Sequence, residues 1–237
     1  MAEIKRKNVY DILLFDADDT LLDFKRSERE ALCDTLRESG IEPTEASIAR
    51  YSEINLSFWK LLERGEVTKT RLRTERFRVF CEELGYTVDH IHLADAYMDF
   101  LSQKSYLIDG AEEICRKLCE HCKMYIVTNG LKNIQQPRFA ASGLEKYFSG
   151  VFISDDIGYE KPDIRFFDFI NDAVGGIDKA RALIIGDSLS SDMRGGISFG
   201  IDTCLYDPKQ KGYPENMEIT YTVAKLSELE SIVLSQL

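Results

Sequence analysis

The chain has 237 residues, 44% of them hydrophobic, and a formal net charge of −11. That size fits one large domain or a core with a smaller companion, and the apolar content excludes a disordered chain. The acidic balance disfavours nucleic-acid polymers and anionic membranes as partners, and no run of about 18 apolar residues is present to span a bilayer.

Met1 to Asn8 is basic, but the apolar stretch behind it is broken by Asp11 and ends in acids, so no secretory signal is expected. The first strand falls over residues 9–15, where Ile12-Leu13-Leu14-Phe15 reads as buried on both faces. From about residue 25 to 104 the pattern is helix after helix, with breaks at Gly40 to Thr44, near Gly65 and at Gly85 to Asp89. About four helices and no strand are expected there.

Beyond residue 105, helices and strands alternate. Helices are expected over Ala111 to Cys122, Asn133 to Ala141 (despite Pro137), Ile164 to Val174, Asp192 to Phe199 and Lys225 to Leu234. Strands are expected over Met124 to Val127, Val151 to Ile153, Ala182 to Ile185 and Thr203 to Tyr206. Alternation of this kind implies a parallel sheet covered by helices on both faces.

The six cysteines mostly fall in helix or strand patterns of a chain large enough to need no staples, so reduced thiols and a cytoplasmic location are expected. Cys115, Cys119 and Cys122 share one helix face, with His121 close by. No second cysteine pair stands at a suitable distance, so a buried helix face is favoured over a zinc site.

Chemistry gathers where the strands end. Asp16 and Asp18 follow the first strand; ligands of open α/β sheets bind beyond such carboxyl ends. An EF-hand loop starting at Asp16 needs glycine at position six and glutamate at twelve, but Leu21 and Ser27 stand there. Thr128-Asn129-Gly130 follows the second buried strand. A hydroxyl, an amide and a glycine suit phosphate oxygens, although Asn-Gly is also a common turn. Lys161-Pro162-Asp163 follows the third strand and reads either as a fixed ammonium or as a helix start. Gly186-Asp187-Ser188 ends the fourth. With Asp192 five residues on, it suits a hard cation such as Mg²⁺, or helix capping. Singly these signals are modest. Their order, each after an apolar strand, makes them jointly strong.

Together the motifs Asp16-Ala17-Asp18-Asp19-Thr20, Thr128-Asn129-Gly130, Lys161-Pro162 and Gly186-Asp187 with Ser191-Asp192 resemble the haloacid dehalogenase superfamily of aspartate-nucleophile phosphatases. The resemblance implies an α/β fold: a Rossmann-like doubly wound parallel core over residues 1–22 and 106–237, with an all-helical cap inserted at 23–105. It implies a Mg²⁺-dependent phosphomonoesterase working through an aspartyl phosphate. Asp16 is then the nucleophile and Asp18 the general acid and base. Lys161 and Thr128, with backbone N–H groups near Asn129 and Gly130, hold the phosphate. Asp16, the backbone carbonyl of Asp18 and Asp187 hold the metal, and Asp192 supports its waters or orients Lys161. An acid at Asp18 favours phosphate esters over halides, because a leaving halide needs no proton.

Many relatives carry glycine where this chain has Asp19. The variant Phe-Asp-Ala-Asp-Asp-Thr-Leu and the run Gly195 to Thr203 are similar to the branch that contains noncanonical pyrimidine 5′-nucleotidases. The implied substrate is a small phosphorylated metabolite, a nucleoside 5′-monophosphate in this reading, for a monomer or homodimer. The alternatives are a phosphatase of sugar phosphates and a catalytically silent binder, which has no need of Asp18. Cap residues Phe24, Tyr51 and Trp59 are candidates to stack on a base, and Arg26, Lys60 and Arg64 to meet polar groups. For each, packing or a solvated helix face competes, and none is assigned. The expected hinges are Leu22 to Lys25 and Ser105 to Gly110.

Overall fold

The computed structural model describes residues 7–235. A two-residue strand, β1 (Lys7–Asn8), precedes β2 (Ile12–Phe15), whose Leu13, Leu14 and Phe15 are wholly buried. Four helices follow: α1 (Phe24–Glu38), α2 (Glu45–Glu63), α3 (Lys69–Leu84) and α4 (His90–Ser102). The breaks read from the sequence are their boundaries. Asp23, Thr44, Thr68 and Asp89 each accept a backbone N–H of the first turn, and Gly85 ends α3 at φ 70°.

The second half alternates as expected. Its elements are α5 (Ala111–Leu118), β3 (Lys123–Thr128), α6 (Lys132–Ser142), β4 (Gly150–Ile153), α7 (Ser154–Ile157), α8 (Ile164–Ala173), β5 (Ala182–Gly186), α9 (Arg194–Phe199), β6 (Asp202–Tyr206), β7 (Tyr221–Val223), α10 (Leu229–Val233) and β8 (Leu234–Ser235).

The six strands β4-β3-β2-β5-β6-β7 form one parallel sheet in that order, and β1 pairs antiparallel with β8. From β2 the chain moves outward through β3 and β4, then crosses back to β5 on the other side. The order reverses there, so the crevice beyond β2, β3 and β5 is the place for a ligand. One face of the sheet is covered through Ile114, Leu118, Phe139 and Leu229 of α5, α6 and α10. The other is covered through Phe166, Phe167, Ile170 and Phe199 of α8 and α9.

Helices α1 to α4 have an apolar centre of their own, built on Leu32, Leu36, Phe77, Phe80, Leu93 and Tyr97. It runs on into Ile134 of α6, so the inserted helices rest on the helix that follows β3. Tyr51 belongs to this centre. It is fully buried, with ring centroids 4.9 Å from Phe77 and 5.3 Å from Tyr97, and it is thereby removed from the candidates for stacking on a ligand.

Three helix expectations change. The helix from Ala111 ends at Leu118 and passes into a turn that buries Cys122, whose thiol donates to the Tyr10 carbonyl at 3.1 Å. The helix expected from Asp192 begins earlier, as a π turn over Leu189–Met193 that continues into α9. The closing helix shortens to Leu229–Val233, after a 3₁₀ turn over Leu226–Glu228. Strand β7, only three residues long, carries too little periodicity to be read from sequence.

Candidate active site

The site stands on the strand ends. The backbone N–H of Asp16 donates to the Ile185 carbonyl at 2.8 Å, which carries the sheet register of β2 and β5 one residue past Phe15. Thr20 Oγ1 donates to Asp16 Oδ2 at 3.2 Å. Asp19 takes φ 58°, the left-handed conformation that glycine adopts freely and aspartate tolerates better than most residues. Its carboxylate pairs with Lys25 at the start of α1.

Lys161 arrives from the loop after α7 and is 1% exposed. Its Nζ donates to Asp16 Oδ1 at 2.7 Å, to Asp192 Oδ1 at 2.6 Å and to the Val127 carbonyl at 2.7 Å, which uses all three ammonium hydrogens. Asn129 fixes the backbone of this lysine. Its Nδ2 donates to the Lys161 carbonyl and its Oδ1 accepts the Lys161 N–H, both at 2.8 Å. The Asn129 amide thus positions Lys161. Thr128 Oγ1 accepts from the Gly130 N–H and from Gln135 Nε2, each at 3.1 Å. Gly130 has no room for a side chain, since a Cβ there would lie 2.3 Å from Gln135 Nε2.

Asp192 lies in the π turn after β5. Its Oδ2 accepts the Ser188 N–H at 3.1 Å, while its Oδ1 holds Lys161. Burial pushes Asp16 up to about 7, with Lys161 opposing and Asp192 adding to the rise. Burial and the charges of Asp16 and Asp192 push Asp187 up to about 8. Burial works to deprotonate Lys161, but Asp16 and Asp192 overcome it and hold the ammonium charged.

Oxygens of Asp16, Asp187 and Asp192 all lie within 4.8 Å of one another. Lys161 pairs with two of these three carboxylates, Asp16 and Asp192, and burial and mutual repulsion push Asp16 and Asp187 up. This all-oxygen, excess-negative cluster fits a hard divalent cation such as Mg²⁺.

Asp18 lies beside this cluster. Arg138 Nη1 donates to its Oδ1 at 2.7 Å and Gln135 Nε2 to its Oδ2 at 2.6 Å. Neither partner belongs to a strand-end motif. The signal available was faint: two long polar residues three apart, on one face of the helix that leaves β3. A cavity of about 190 Å³ joins Asp16, Asp18, Thr128, Asn129, Gly130, Lys161, Asp187 and Asp192 to Phe24, Trp59 and Glu63 from the inserted helices. Every site residue expected from the sequence therefore lines one cavity. Of the cap candidates, Phe24 and Trp59 reach it. Arg26 instead pairs with Glu30 and lies over the Tyr106 ring, Arg64 pairs with Glu66, and Lys60 is exposed.

A doubly wound sheet with acids beyond the ends of β2 and β5, a buried lysine between them and helices inserted after the first acid defines a hydrolase of the aspartate-centred α/β class. The family model described as haloacid dehalogenase-like hydrolase matches residues 10–200, and the chain belongs to that family. It is 37% identical to the HAD-hydrolase YfnB of Bacillus subtilis over 224 residues, covering 94% of this chain and 95% of that protein. The crystal structure of YfnB, described as bound to magnesium and as revealing interdomain movement, superposes with a TM-score of 0.90 over 94% of this chain and 98% of its own. The pyrimidine 5′-nucleotidase PynA of Streptococcus pneumoniae is 37% identical over 93% of both chains. The pyrimidine 5′-nucleotidase YjjG of Escherichia coli is 30% identical over 94% of this chain and 98% of its own. No helix among the described residues is long and apolar enough to cross a membrane.

Proposed function

We propose that this hydrolase is a Mg²⁺-dependent phosphomonoesterase that releases phosphate from pyrimidine nucleoside 5′-monophosphates. The observation that carries the reading is the pair of carboxyls two residues apart in one cavity. Asp16 is held by Lys161, and Asp18 is held separately by Arg138 and Gln135. One serves as nucleophile, and the other moves protons.

Asp16 attacks phosphorus and becomes an aspartyl phosphate. Asp18 gives a proton to the departing 5′-oxygen, then takes one from the water that cleaves the aspartyl phosphate. Lys161 and the Thr128 hydroxyl stabilise the transferring oxygens. Asn129 keeps Lys161 in place. Asp16, Asp187 and the carbonyl of Asp18 would hold Mg²⁺, with Asp192 next to them; the ion supplies positive charge against the phosphate. The inserted helices 23–105 act as a cap over the core 1–22 and 106–237, hinged near Leu22 to Lys25 and Ser105 to Gly110. They exclude water while Asp16 reacts.

Two observations support a pyrimidine substrate. PynA and YjjG, at 37% and 30% identity, are named pyrimidine 5′-nucleotidases. Next to the main cavity, a smaller one of about 30 Å³ shares Asp18, Phe24, Trp59 and Gly130 with it and is also lined by Arg76. Arg76 is 3% exposed, and its Nε–H has no partner among the described residues. A buried donor beside two aromatic rings favours a flat ring with a carbonyl oxygen. Every pyrimidine base has one and adenine has none. The free thiols fit a cytoplasmic setting.

The test is phosphate release with Mg²⁺ from dUMP, dTMP, UMP, AMP, several sugar phosphates and p-nitrophenyl phosphate. The expected result is preference for the pyrimidine nucleotides and loss of all activity in Asp16→Asn. Preference for sugar phosphates would keep the chemistry and discard the base. No release from any ester by folded protein would overturn the proposal.

A further inference from the structure

Asp18 is gripped by two side chains of α6. Arg138 Nη1 holds Oδ1 and Gln135 Nε2 holds Oδ2, so the carboxyl is fixed at both oxygens. The holders are themselves held. Arg138 Nη1 reaches Gln135 Oε1 at 3.2 Å, and Arg138 Nε donates to the Lys104 carbonyl at 2.9 Å. Gln135 Nε2 also donates to Thr128 Oγ1 at 3.1 Å, and the Gln135 side chain fills the space over Gly130. The Arg138 side chain is 0% exposed and that of Asp18 27%, so the grip is buried while the acid keeps an open side.

A guanidinium is costly to bury, and at a purely structural position an apolar residue of similar length serves as well or better. Among the described residues the ion pair of Arg138 is with Asp18. The fixed orientation and the compensating charge both fall on the one carboxyl that has to exchange protons with the reacting oxygen.

We propose that Arg138 and Gln135 are positioning residues for proton transfer by Asp18. The proposal rests on the reading of Asp18 as the general acid and base. In the first step an Asp16 oxygen bonds to phosphorus as the bond from phosphorus to the leaving oxygen breaks. The electron pair goes to the leaving oxygen, which takes the proton from Asp18. Asp18 becomes a carboxylate, and the adjacent guanidinium stabilises the charge that develops on it. In the second step Asp18 takes a proton from water as the water oxygen bonds to phosphorus, and the electron pair of the breaking bond returns to Asp16. Gln135 sets the plane of the carboxyl, and Arg138 answers its charge.

The experiment compares kcat/KM for phenyl phosphate and p-nitrophenyl phosphate. The two esters have nearly the same shape, but the phenyl leaving group needs a proton far more. The variants are Arg138→Met, Arg138→Lys, Gln135→Leu, Asp18→Asn and the double variant Arg138→Met with Asp18→Asn, each checked for cooperative melting. General acid catalysis supplies about 10²–10⁴-fold, and loss of positioning should remove about 10–100-fold of it for phenyl phosphate, against less than about threefold for p-nitrophenyl phosphate. Arg138→Lys should recover part of the loss. Once Asp18 is Asn, Arg138→Met should cost nothing further, because the two residues act as one unit.

Equal losses on both esters in Arg138→Met and Gln135→Leu, with Asp18→Asn still telling the esters apart, would overturn the positioning role and leave the acid in place. A further loss on adding Arg138→Met to Asp18→Asn would also overturn it. Failure of Asp18→Asn to tell the esters apart would overturn the reading of Asp18 itself. If Arg138→Met does not fold, Gln135→Leu decides by the same ratio.

Discussion

Lys161→Met tests how the catalytic cluster is held together. The replacement keeps a long side chain and removes the charge. Three hydrogen bonds of 2.6–2.7 Å disappear with it. Asp16 and Asp192 are left facing each other without the ammonium, and the Val127 carbonyl loses its donor. Removing one partner of a buried ion pair costs about 3–5 kcal/mol. For a chain of this length each kcal/mol lowers Tm by about 2–4 °C, so the fall should be roughly 6–20 °C. The loss has a definite dependence on pH. Asp16 sits at about 7 even with Lys161 drawing it down, and without the lysine it rises further. A carboxyl raised above its unfolded value contributes stability at low pH that is lost as pH rises through the folded value. The deficit of the variant should therefore be smaller at about pH 5, where Asp16 carries a proton and the losses are those of the Asp192 and Val127 contacts, and full at about pH 8, where the Asp16 pair is lost as well. Urea unfolding of both proteins in EDTA at the two pH values measures it. A deficit under about 1 kcal/mol at both, in the range of a surface pair, would refute the reasoning, as would a larger deficit at the lower pH.

Three more outcomes are expected. In EDTA the unaltered protein should lose stability from about pH 5 to pH 8, because Asp16 at about 7 and Asp187 at about 8 are both raised, and Mg²⁺ should raise Tm more at the upper end; a flat profile with and without the ion would count against the metal cluster. Gly186→Ala should cost about 1–3 kcal/mol, as overpacking does, because its Cβ would lie 2.2 Å from Asp192 Oδ2 and push that carboxylate off Lys161; its turnover should fall with it, and normal turnover would show that Asp192 need not hold the lysine. Lys69, at the start of α3, donates to Ser154 Oγ at 2.8 Å and lies 3.4 Å from Glu160 and 3.6 Å from Asp155, which ties the inserted helices to the core. Lys69→Ala should raise KM about two- to fivefold with kcat little changed, the scale of a weak ion pair opposing cap opening; an unchanged KM would mean the contact does not bias closure.

The strand ends, and the residue types gathered beyond them, were legible in the amino-acid order. Buried parallel strands are short apolar runs, and the residues just past them must lie on one edge of the sheet, so Asp16, Thr128 and Asp187 were legible from order alone, while Lys161, which follows α7, was legible only with the other motifs. The helical insertion was legible because its caps and glycine stops are local signals, visible at Thr44, Gly65, Gly85 and Asp89. Partnership was not legible. Lys161 meets Asp16 across 145 positions and Arg138 meets Asp18 across 120, and no periodicity encodes which side chains a packed helix brings to a distant acid. The same holds for Tyr51, which looked as free to stack on a ligand as Trp59 until packing placed it in the centre of the cap. Asn129 was legible as one of the residues suited to phosphate oxygens, and the tertiary structure adds that its side-chain amide closes on the Lys161 backbone. Local sequence fixes what a segment becomes and which residues reach the edge; the contacts that orient those residues arise only when helices and sheet close on one another.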